Sequence, residues 1–331
     1  MKRVKAIAFY TIKSSGGLEA EVSNLGAKIT KLLVSNRQGE VKDVVLGFRT
    51  AEEWRTQEPS FNAVMGRCAN RIKNAQFALD GQVYHLLAND RGNTLHGGNN
   101  SFNTRLWDVE EHDAQHVRLH YRAADGEEGF PGNLDVWVTY TATDDNALSI
   151  LYEAKTDKPT IINLTNHAYF NLEGEQSPSV REHVLQVLAD AYTPLDGTDC
   201  PTGEIRPVDG TPMDLRQPTR IGNCIDQPFF VPSRGINHNW VLPDTKGMKK
   251  AAVLYADGRT MTVYTTCPAL QVYTGNWVEE HIGKSGTLYR PLNSICLETQ
   301  NCPDAIHHPA FPSPILRPGE VYEQQTRYQF S

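Results

Sequence analysis

The sequence predicts an all-β protein, a large antiparallel β-sandwich with long loops and few short helices. Apolar residues alternate with polar residues at a spacing of two along most of the chain, and turn residues punctuate the alternation. Helical patterns are scarce, and no repeat with a period of about 20 to 50 residues indicates a solenoid or a propeller. Because the 331 residues contain no clear linker, we expect a single domain that spans residues 1–331.

Hairpins give the strongest local signal. Residues 134–152 hold two alternating stretches separated by the turn residues 144–146, which predicts two paired strands. Asp-Gly dipeptides, which favour tight hairpin turns, occur at Asp80-Gly81 and Asp257-Gly258 between further apolar stretches. The last alternating stretch, residues 321–330, predicts a closing strand with a mixed face formed by Tyr322, Gln324, Thr326, Tyr328 and Phe330.

Only one short segment has a clear helix start. Thr50 is a suitable N-cap, and Glu53, three residues later, completes the sequence pattern of a capping box. Residues 181–190 are compatible with either a helix or a strand.

Composition and charge narrow the class of protein. Apolar residues make up 39% of the chain, and none of its apolar runs approaches the ~20 residues of a membrane span. The first 17 residues have a basic flank and a short apolar patch, but polar residues interrupt the patch and no cleavage site follows. We therefore expect a cytoplasmic protein that does not enter a membrane.

Several cofactors and partners lack sequence support. The six cysteines are scattered without a C-x-x-C pair, which predicts free thiols and no structural zinc site. The net charge of −7, with both signs interspersed, gives no basic stripe for nucleic acid. Neither G-x-G-x-x-G nor G-x-x-x-x-G-K-[ST] occurs, so no nucleotide cofactor is expected.

Residues 161–172, IINLTNHAYFNL, form the most distinctive stretch. His167 stands there among residues that are polar without being charged, and imidazole exchanges a proton near neutral pH. The stretch suits the floor of a site for an uncharged, hydroxyl-rich ligand, with hydrogen bonds from three asparagines and apolar ring faces from two aromatic residues. These residues are Asn163, Asn166, Asn171, Tyr169 and Phe170. Alternatively, His167 only satisfies a turn after a buried strand.

Four further stretches carry candidate site residues. Arg67 and Arg71 lie in GRCANRI, His96 precedes two glycines in NTLHGG, Gln271 lies in PALQVYTGNW, and Glu298 lies in the apolar strand ICLETQN. Burial of Glu298 would raise its pKa toward the value that a general base needs. The alternatives are a solvated arginine pair, a bystander histidine, a glutamine facing water and a salt-bridged structural glutamate.

A metal site is not expected. His307 and His308 lie near Asp304, but adjacent histidines followed by Pro309 have poor ligand geometry and indicate a surface loop.

Taken together, these stretches resemble the aldose 1-epimerase (galactose mutarotase) family. The matching motifs lie in the family's order from about residue 60 to the C-terminus, and six long motifs make the resemblance specific. They are GRCANRI, NTLHGG, GEEGFPGNL, NLTNHAYFNL, PALQVYTGN and CLETQNCPDAIHHPAFPSPILRPGE. The resemblance implies a β-sandwich of the mutarotase type that interconverts the α and β anomers of a free aldose without a cofactor.

The resemblance also implies roles for individual residues. The family's general base falls on Glu298 and its general acid on His167, while Arg71 and His96 fall on positions that bind the sugar and orient its ring oxygen. Gln271 falls on a further polar contact, and Asn70 lies in the motif that carries Arg71. The substrate-binding set is thus Arg71, His96, Asn237, Gln271 and Asn70. Asn237 departs from the family, which usually has an aspartate there; an asparagine that only shapes the turn is the alternative.

Three other functions remain open at this point. A glycoside hydrolase needs two carboxylates flanking the bond, whereas only Glu298 stands in a motif. A non-catalytic carbohydrate-binding protein could keep the fold, and a hexose-phosphate 1-epimerase would need additional basic residues, for which Arg67 is a candidate. We expect a small sugar as the partner and a monomer or homodimer as the assembly.

Overall fold

Antiparallel β-sheets dominate the part of the chain that the structure, a computed structural model, describes, namely residues 6–58 and 60–331. This architecture confirms the predicted all-β fold class. The first five residues of the N-terminal segment discussed above lie outside the described residues. Within the described ranges, no helix is long and apolar enough to cross a membrane.

The strands run antiparallel within each sheet and occur along the chain in the following order. They are β1 (Phe9–Lys13), β2 (Glu19–Ser23), β3 (Lys28–Ser35), β4 (Val41–Asp43), β5 (Val64–Met65), β6 (Arg71–Ile72), β7 (Gln76–Leu79), β8 (Gln82–His85), β9 (Thr94–Leu95), β10 (Asp108–His112), β11 (His116–Ala123), β12 (Leu134–Thr143), β13 (Ala147–Thr156), β14 (Thr160–Ile161), β15 (Thr165–Asn166), β16 (Val184–Val187), β17 (Ala191–Thr193), β18 (Arg206–Pro207), β19 (Thr219–Arg220), β20 (Asn237–Val241), β21 (Lys249–Ala256), β22 (Arg259–Thr265), β23 (Ala269–Tyr273), β24 (His281–Ile282), β25 (Leu288–Tyr289), β26 (Cys296–Gln300), β27 (Ile315–Leu316) and β28 (Tyr322–Phe330).

Helical elements are short. The α-helices are α1 (Ala51–Thr56) and α2 (Ile221–Ile225), and the 3₁₀ turns are Lys73–Ala75, Phe102–Thr104, Glu127–Gly129 and Ala305–His307. Thr50 and Glu53 form the predicted capping box at the start of α1, because each side chain accepts a hydrogen bond from the other's backbone N–H. Residues 184–187 form strand β16, which decides the ambiguous segment in favour of a strand.

Three sheets account for most strands. The largest has nine strands in the order β10-β11-β12-β13-β28-β22-β21-β16-β19, a second has the order β18-β17-β20-β23-β26, and the N-terminal sheet has the order β1-β2-β3-β4. The hairpin over residues 134–152 is confirmed by the pairing of β12 with β13. Both Asp-Gly turns are also confirmed, since Asp80, Gly81, Asp257 and Gly258 all have positive φ between paired strands.

The nine-stranded and five-stranded sheets share one apolar core. Alternate residues of β12 and β28 are buried, as the period of two predicts, and they join a cluster that includes Leu270 of β23 and Leu297 of β26. The Tyr328 hydroxyl of β28 also donates to the Leu297 carbonyl oxygen at 3.1 Å. The core therefore fixes β23 and β26, which carry Gln271 and Glu298, against the larger sheet.

The six cysteines are buried and free. This agrees with the prediction of free thiols made from their scattered positions.

Candidate active site

A cavity of about 490 Å³ opens beside the five-stranded sheet. All seven site residues predicted from the sequence line it. The lining residues are Glu58, Ser60, Asn70, Arg71, Asp90, Arg91, Leu95, His96, His167, Tyr169, Asp199, Asn237, Gln271, Tyr273, Trp277, Val278 and Glu298. This volume is in the range of ordinary small-molecule sites.

Strand register brings three of these residues to one face of the sheet. Gln271 of β23 pairs directly with Glu298 of β26, and on its other side it pairs with Asn239 of β20. Because side chains of one strand share a face every second residue, Asn237 points the same way as Asn239. The Gln271 amide donates from Nε2 to Asn237 Oδ1 at 2.8 Å. Gln271 is 4% exposed, so the alternative of a glutamine facing water is wrong.

Glu298 is the most deeply buried acid of the cavity wall. Its side chain is 2% exposed, and Oε2 has no hydrogen-bond partner among the described residues. Burial raises its pKa to about 8, and the positive charge of Arg71 offsets only part of that rise. A carboxyl group of this kind binds and releases a proton close to neutral pH.

His167 faces Glu298 across the inner end of the cavity, with Nε2 at 3.6 Å from Oε1. Its backbone N–H donates to the Ala63 carbonyl oxygen at 2.9 Å, and its carbonyl oxygen accepts from the Asn62 N–H at 3.0 Å. The imidazole stacks on the Tyr169 ring, with centroids 4.8 Å apart and planes at 13°. The hydrogen bonds fix the backbone position of His167, and the stacking fixes the orientation of its ring.

The His167 imidazole carries no net charge at neutral pH. Burial lowers its pKa to about 4, and the charge of Lys28 acts in the same direction. Its Nδ1 is buried without a hydrogen-bond partner in the described part of the chain. Together with Glu298, the site therefore contains two titratable groups whose pKa values burial has moved toward their uncharged forms.

His96 adds a second imidazole whose tautomer is fixed by the backbone. Its Nδ1 accepts from the Asn70 N–H at 3.2 Å, and its own backbone N–H donates to the Asn70 carbonyl oxygen at 3.0 Å. The neutral ring must therefore carry its proton on Nε2. Burial lowers the pKa of His96 well below its usual value, and its neighbours Arg71 and His167, the latter only when protonated, act in the same direction. The ring meets His167 edge to face at 5.3 Å.

Glycine is required immediately after this histidine. Gly97 has φ +82°, and a Cβ there would lie 2.3 Å from the Gly66 carbonyl oxygen. The close approach of these two backbones holds His96 beside the segment that carries Arg71.

Arg71 lies between the buried end and the opening. Its Nε donates to Asp90 Oδ2 at 2.6 Å, and its side chain is 11% exposed. Arg91 and Asp199 form a second ion pair at 2.7 Å beside it. The sequence analysis did not identify Asp90, Arg91 or Asp199, because they lie in loops without a motif and meet only in the folded chain.

The sequence analysis also missed two aromatic residues of the cavity wall, Tyr273 and Trp277. Trp277 is 51% exposed and lines the cavity, and the guanidinium of Arg234, a residue outside the lining, is 4.5 Å from its ring centroid. The Trp277 backbone N–H donates to the Tyr273 hydroxyl at 2.9 Å, which ties this residue to the wall beside His167. Both aromatic residues stood in the PALQVYTGNW stretch, where Gln271 alone was singled out.

The asparagines of residues 161–172 do not form the predicted floor. Asn163 exchanges hydrogen bonds with the Asn301 backbone, Asn166 donates to the Asn62 carbonyl oxygen, and Asn171 donates to the Asn293 carbonyl oxygen. Phe170 packs in the core against Tyr328. That part of the prediction was wrong, because these buried amides satisfy the backbone; within this stretch, His167 and Tyr169 are the residues that line the cavity.

Arg67 and the adjacent histidines lie away from the cavity lining. Arg67 is 2% exposed and donates from Nη1 to the Pro131 and Gly132 carbonyl oxygens at 2.6 and 3.0 Å, so it is neither a solvated residue nor a ligand contact. His307 and His308 both contact Asp304, which is buried. Within residues 6–58 and 60–331, no group of three or more histidine, cysteine, aspartate or glutamate side chains is arranged to hold a metal ion.

Known proteins match this chain over nearly its whole length. The family described as "Aldose 1-epimerase" matches residues 8–329. Galactose mutarotase from Rattus norvegicus is 45% identical over 96% of this chain and 92% of the rat protein, and galactose mutarotase from Homo sapiens is 42% identical over 100% and 99%. Aldose 1-epimerase from Escherichia coli K12 is 37% identical over 97% and 94%.

Solved structures give the same match. A GalM/aldose epimerase homologue from C. elegans superposes with a TM-score of 0.91 at 32% identity, covering 98% of this chain and 99% of that one. Galactose 1-epimerase from Lactobacillus acidophilus superposes with a TM-score of 0.86 at 28% identity, covering 100% and 96%.

Proposed function

This chain belongs to the aldose 1-epimerase family and is an isomerase of that activity, and from this premise we propose that it converts a free aldohexose between its α and β anomers with Glu298 as base and His167 as acid. Relatives at 42% and 45% identity are named galactose mutarotases, which makes galactose the first substrate to test.

The observation that carries the proposal is the arrangement of the two groups. Nε2 of His167 and Oε1 of Glu298 are 3.6 Å apart, and each residue has a further buried polar atom without a partner in the described residues. Buried polar atoms are normally hydrogen-bonded, so an unpartnered pair facing a cavity indicates a ligand that completes it. A hemiacetal offers a donor, the C1 hydroxyl, and an acceptor, the ring oxygen, on neighbouring atoms.

The reaction conserves the number of protons on the pair. The Glu298 carboxylate takes the proton of the C1 hydroxyl while protonated His167 gives one to the ring oxygen, so that the bond between C1 and the ring oxygen breaks and an aldehyde forms. Rotation about the C1–C2 bond turns the other carbonyl face inward, and the two transfers reverse. Each positioned transfer contributes typically about 10²–10⁴-fold, so the pair suffices for a large acceleration.

The pKa shifts fit this cycle. Between the pKa of His167, about 4, and that of Glu298, about 8, the pair holds one dissociable proton, and burial favours neutral imidazole with a protonated carboxyl group. That is the state of the pair when the sugar is open. The charged state belongs to the closed sugar, and the hydroxyl groups of the bound ring must supply hydrogen bonds that stabilise it.

The remaining predicted residues bind the ring. Arg71 donates to hydroxyl oxygens, His96 presents its Nε2 proton, and the linked amides of Gln271 and Asn237 contact hydroxyls on the sheet side. Asn70 accepts the Arg71 backbone N–H on Oδ1 at 2.9 Å, so its amide NH₂ is the part that meets the sugar. Fixing the ring at several points leaves rotation about C1–C2 as the free motion.

The charge balance favours a neutral sugar over a hexose phosphate. The lining contains two guanidinium groups, and the structure pairs both with the carboxylates of Asp90 and Asp199. Arg67, the other candidate cation, is held by backbone carbonyl oxygens outside the lining. In the described lining, a phosphate dianion would therefore meet only guanidinium groups whose charges are already balanced by carboxylates, and it would approach two aspartates.

Polarimetry on freshly dissolved α-D-galactose, α-D-glucose and their 6-phosphates tests the proposal. We expect faster approach to rotational equilibrium for the free sugars, and a loss of at least about 100-fold in kcat for Glu298→Gln. Glu175→Gln is the matched control, because Glu175 is also buried but accepts from the Tyr289 hydroxyl outside the cavity lining. An inactive parent would leave the binding-protein alternative, and faster turnover of the phosphates would contradict the neutral-sugar assignment.

We further propose a cytoplasmic location and a monomer or homodimer. Six free, buried thiols suit a reducing compartment. Cell fractionation and size-exclusion chromatography with light scattering test the two statements.

A further inference from the structure

We propose that Asp90, Arg91 and Asp199 are positioning residues that hold the Arg71 guanidinium ready for the sugar. Together with Arg71 they form what we call the charge ring, four side chains of alternating sign on the cavity wall. The inference rests on the proposed function, since it takes Arg71 as a sugar contact. It adds three residues that neither the motifs nor the comparisons indicate.

The contacts close the ring. Arg71 Nε lies 2.6 Å from Asp90 Oδ2, Arg91 Nε lies 3.3 Å from Asp90 Oδ1, and Arg91 Nη2 lies 2.7 Å from Asp199 Oδ2. Arg71 Nη2 lies 3.8 Å from the same Asp199 oxygen. Each of the two carboxylates thus lies within 4 Å of both guanidinium groups. All four residues line the cavity.

The ring joins two loops that are far apart in the chain. Asp90 and Arg91 lie between β8 and β9 in a tight turn, in which Asp90 and Asn93 exchange backbone hydrogen bonds at 3.0 and 2.8 Å. Asp199 lies between β17 and β18. Its N–H donates to the Asp196 carbonyl oxygen at 3.1 Å, and Lys73 forms an ion pair with Asp196 at 2.6 Å. Both carboxylates are therefore presented from anchored turns.

Anchored carboxylates matter because arginine is long and flexible. A free guanidinium would sample many rotamers, and ordering it would reduce the affinity for the sugar. The Asp90 contact occupies Nε and sets the plane of the fork. The Arg71 donors at Nη1 have no partner among the described residues, and they remain available for hydroxyl oxygens.

The four side chains of the charge ring differ in exposure, and Arg71 is the least exposed of them. The exposed fraction is 48% for the Arg91 side chain, 30% for Asp199, 20% for Asp90 and 11% for Arg71. Exposed ion pairs are weak and screened by salt, whereas partly buried pairs are less so. We therefore expect the inner carboxylate to have the larger effect and the outer pair to respond to ionic strength.

The charge ring also limits how far Arg71 lowers the pKa of Glu298. The groups facing Glu298 include His167, Arg71, Tyr169, Tyr273, Cys296 and Tyr328. The phenols and the thiol are uncharged at neutral pH because burial raises their pKa values, and His167 is neutral because burial lowers its pKa. Arg71 is the residue of this set that is charged at neutral pH. Removing the negative charge of Asp90 therefore strengthens the attraction between Arg71 and the Glu298 carboxylate, which lowers the pKa of Glu298.

Kinetics of Asp90→Asn, Asp90→Glu and Asp199→Asn, measured by polarimetry on α-D-galactose, tests the proposal. For Asp90→Asn we expect KM to rise about tenfold while kcat stays within about threefold of the parent. For Asp199→Asn we expect KM to rise about threefold at low salt and to equal that of the parent at high salt. Asp90→Glu should recover most of the loss. The basic limb of the kcat/KM profile, which reports the pKa of Glu298, should move to lower pH in Asp90→Asn.

Two controls separate positioning from general stability. Asp80→Asn removes a surface ion pair with Arg317 at 2.9 Å, outside the lining, and should leave KM unchanged. In an Arg71→Lys background, Asp90→Asn should have less than half its effect on KM, because it acts through Arg71. If the parent is active but Asp90→Asn resembles Asp80→Asn, or if its effect is undiminished in the Arg71→Lys background, the charge ring has no positioning role. An inactive parent would instead contradict the proposed function.

Discussion

The inner end of the cavity and its outer rim hold ionisable groups in opposite ways. At the inner end, Glu298 and His167 are 2% and 6% exposed, and their nearest approach is 3.6 Å. At the rim, Asp90 and Asp199 are more exposed and lie within 2.7 Å of arginines. Strand β26 presents the first carboxylate, whereas loops present the other two.

In the proposed mechanism, this difference separates the groups that transfer protons from the groups that bind the sugar. Burial without a close partner raises the pKa of Glu298 to about 8, so the group exchanges a proton under physiological conditions. Burial would also raise the pKa of Asp90, but the charge and hydrogen bond of Arg71 hold it below its usual value. Asp90 therefore stays charged and can fix a neighbour. The pKa of a carboxyl group is thus raised at one place and lowered at the other, depending on whether a guanidinium lies close beside it.

The largest expected effect concerns the inner end. We predict that Glu298→Gln and His167→Asn each lower kcat by a factor of about 100 or more while the fold is kept, because each variant removes one of two proton transfers. Polarimetry gives kcat, and circular dichroism checks the fold. Turnover of galactose within a few-fold of the parent by either variant would show that the residue is not the base or the acid.

The fold and the inner end could be predicted from local sequence. A period of two and Asp-Gly turns depend on neighbouring residues, so the pairing of β7 with β8 and of β21 with β22 follows directly. Glu298, Gln271 and His167 stand in long motifs on or next to strands, where register determines which way a side chain points.

The rim could not be predicted in this way. Asp199 meets Arg91 across 108 positions of the chain, and neither residue stands in a pattern that constrains its orientation. Residue type was misleading for Asn166, whose amide donates to a backbone carbonyl oxygen and a tyrosine hydroxyl in the interior. Polar composition alone does not distinguish an amide that binds a ligand from one that satisfies the backbone.

The second prediction contrasts the two regions by pH. Because the pKa of Glu298 is raised in the folded state, its contribution to stability is full below the unfolded value, 4.5, and is lost as pH rises through about 8. We expect Glu298→Gln to be more stable than the parent at pH 9, on the order of a few kcal/mol, and the advantage to vanish near pH 4.

Asp90 should show the opposite sign. Its lowered pKa contributes stability above the unfolded value, 3.8, which is lost as pH falls further. Asp90→Asn should therefore be less stable than the parent at neutral pH, and the difference should shrink in acid. Chemical denaturation of both variants at pH 4, 7 and 9 measures the free energy of unfolding. Parallel pH profiles for the two variants would mean that the two regions do not differ as described.

The smallest expected effect concerns Asn237, which lines the cavity beside Gln271. Its Oδ1 accepts from Gln271 Nε2 at 2.8 Å, and an aspartate could keep that bond while turning its second oxygen to the sugar. A charge-assisted hydrogen bond is worth about 1.5–3 kcal/mol, against about 0.5–1.5 kcal/mol for a neutral one. We therefore expect Asn237→Asp to lower KM for galactose or glucose by roughly fivefold, with kcat changed less.

The range of accepted sugars should narrow at the same time. An amide both donates and accepts hydrogen bonds, whereas a carboxylate only accepts, so we expect the parent to accept substituents that Asn237→Asp rejects. Steady-state kinetics on several aldoses measures both effects. Asn100→Asp adds the same charge at an exposed position outside the lining and controls for electrostatics at long range. Unchanged KM values across the sugars, or an equal change in Asn100→Asp, would mean that Asn237 shapes the start of β20 without touching the substrate.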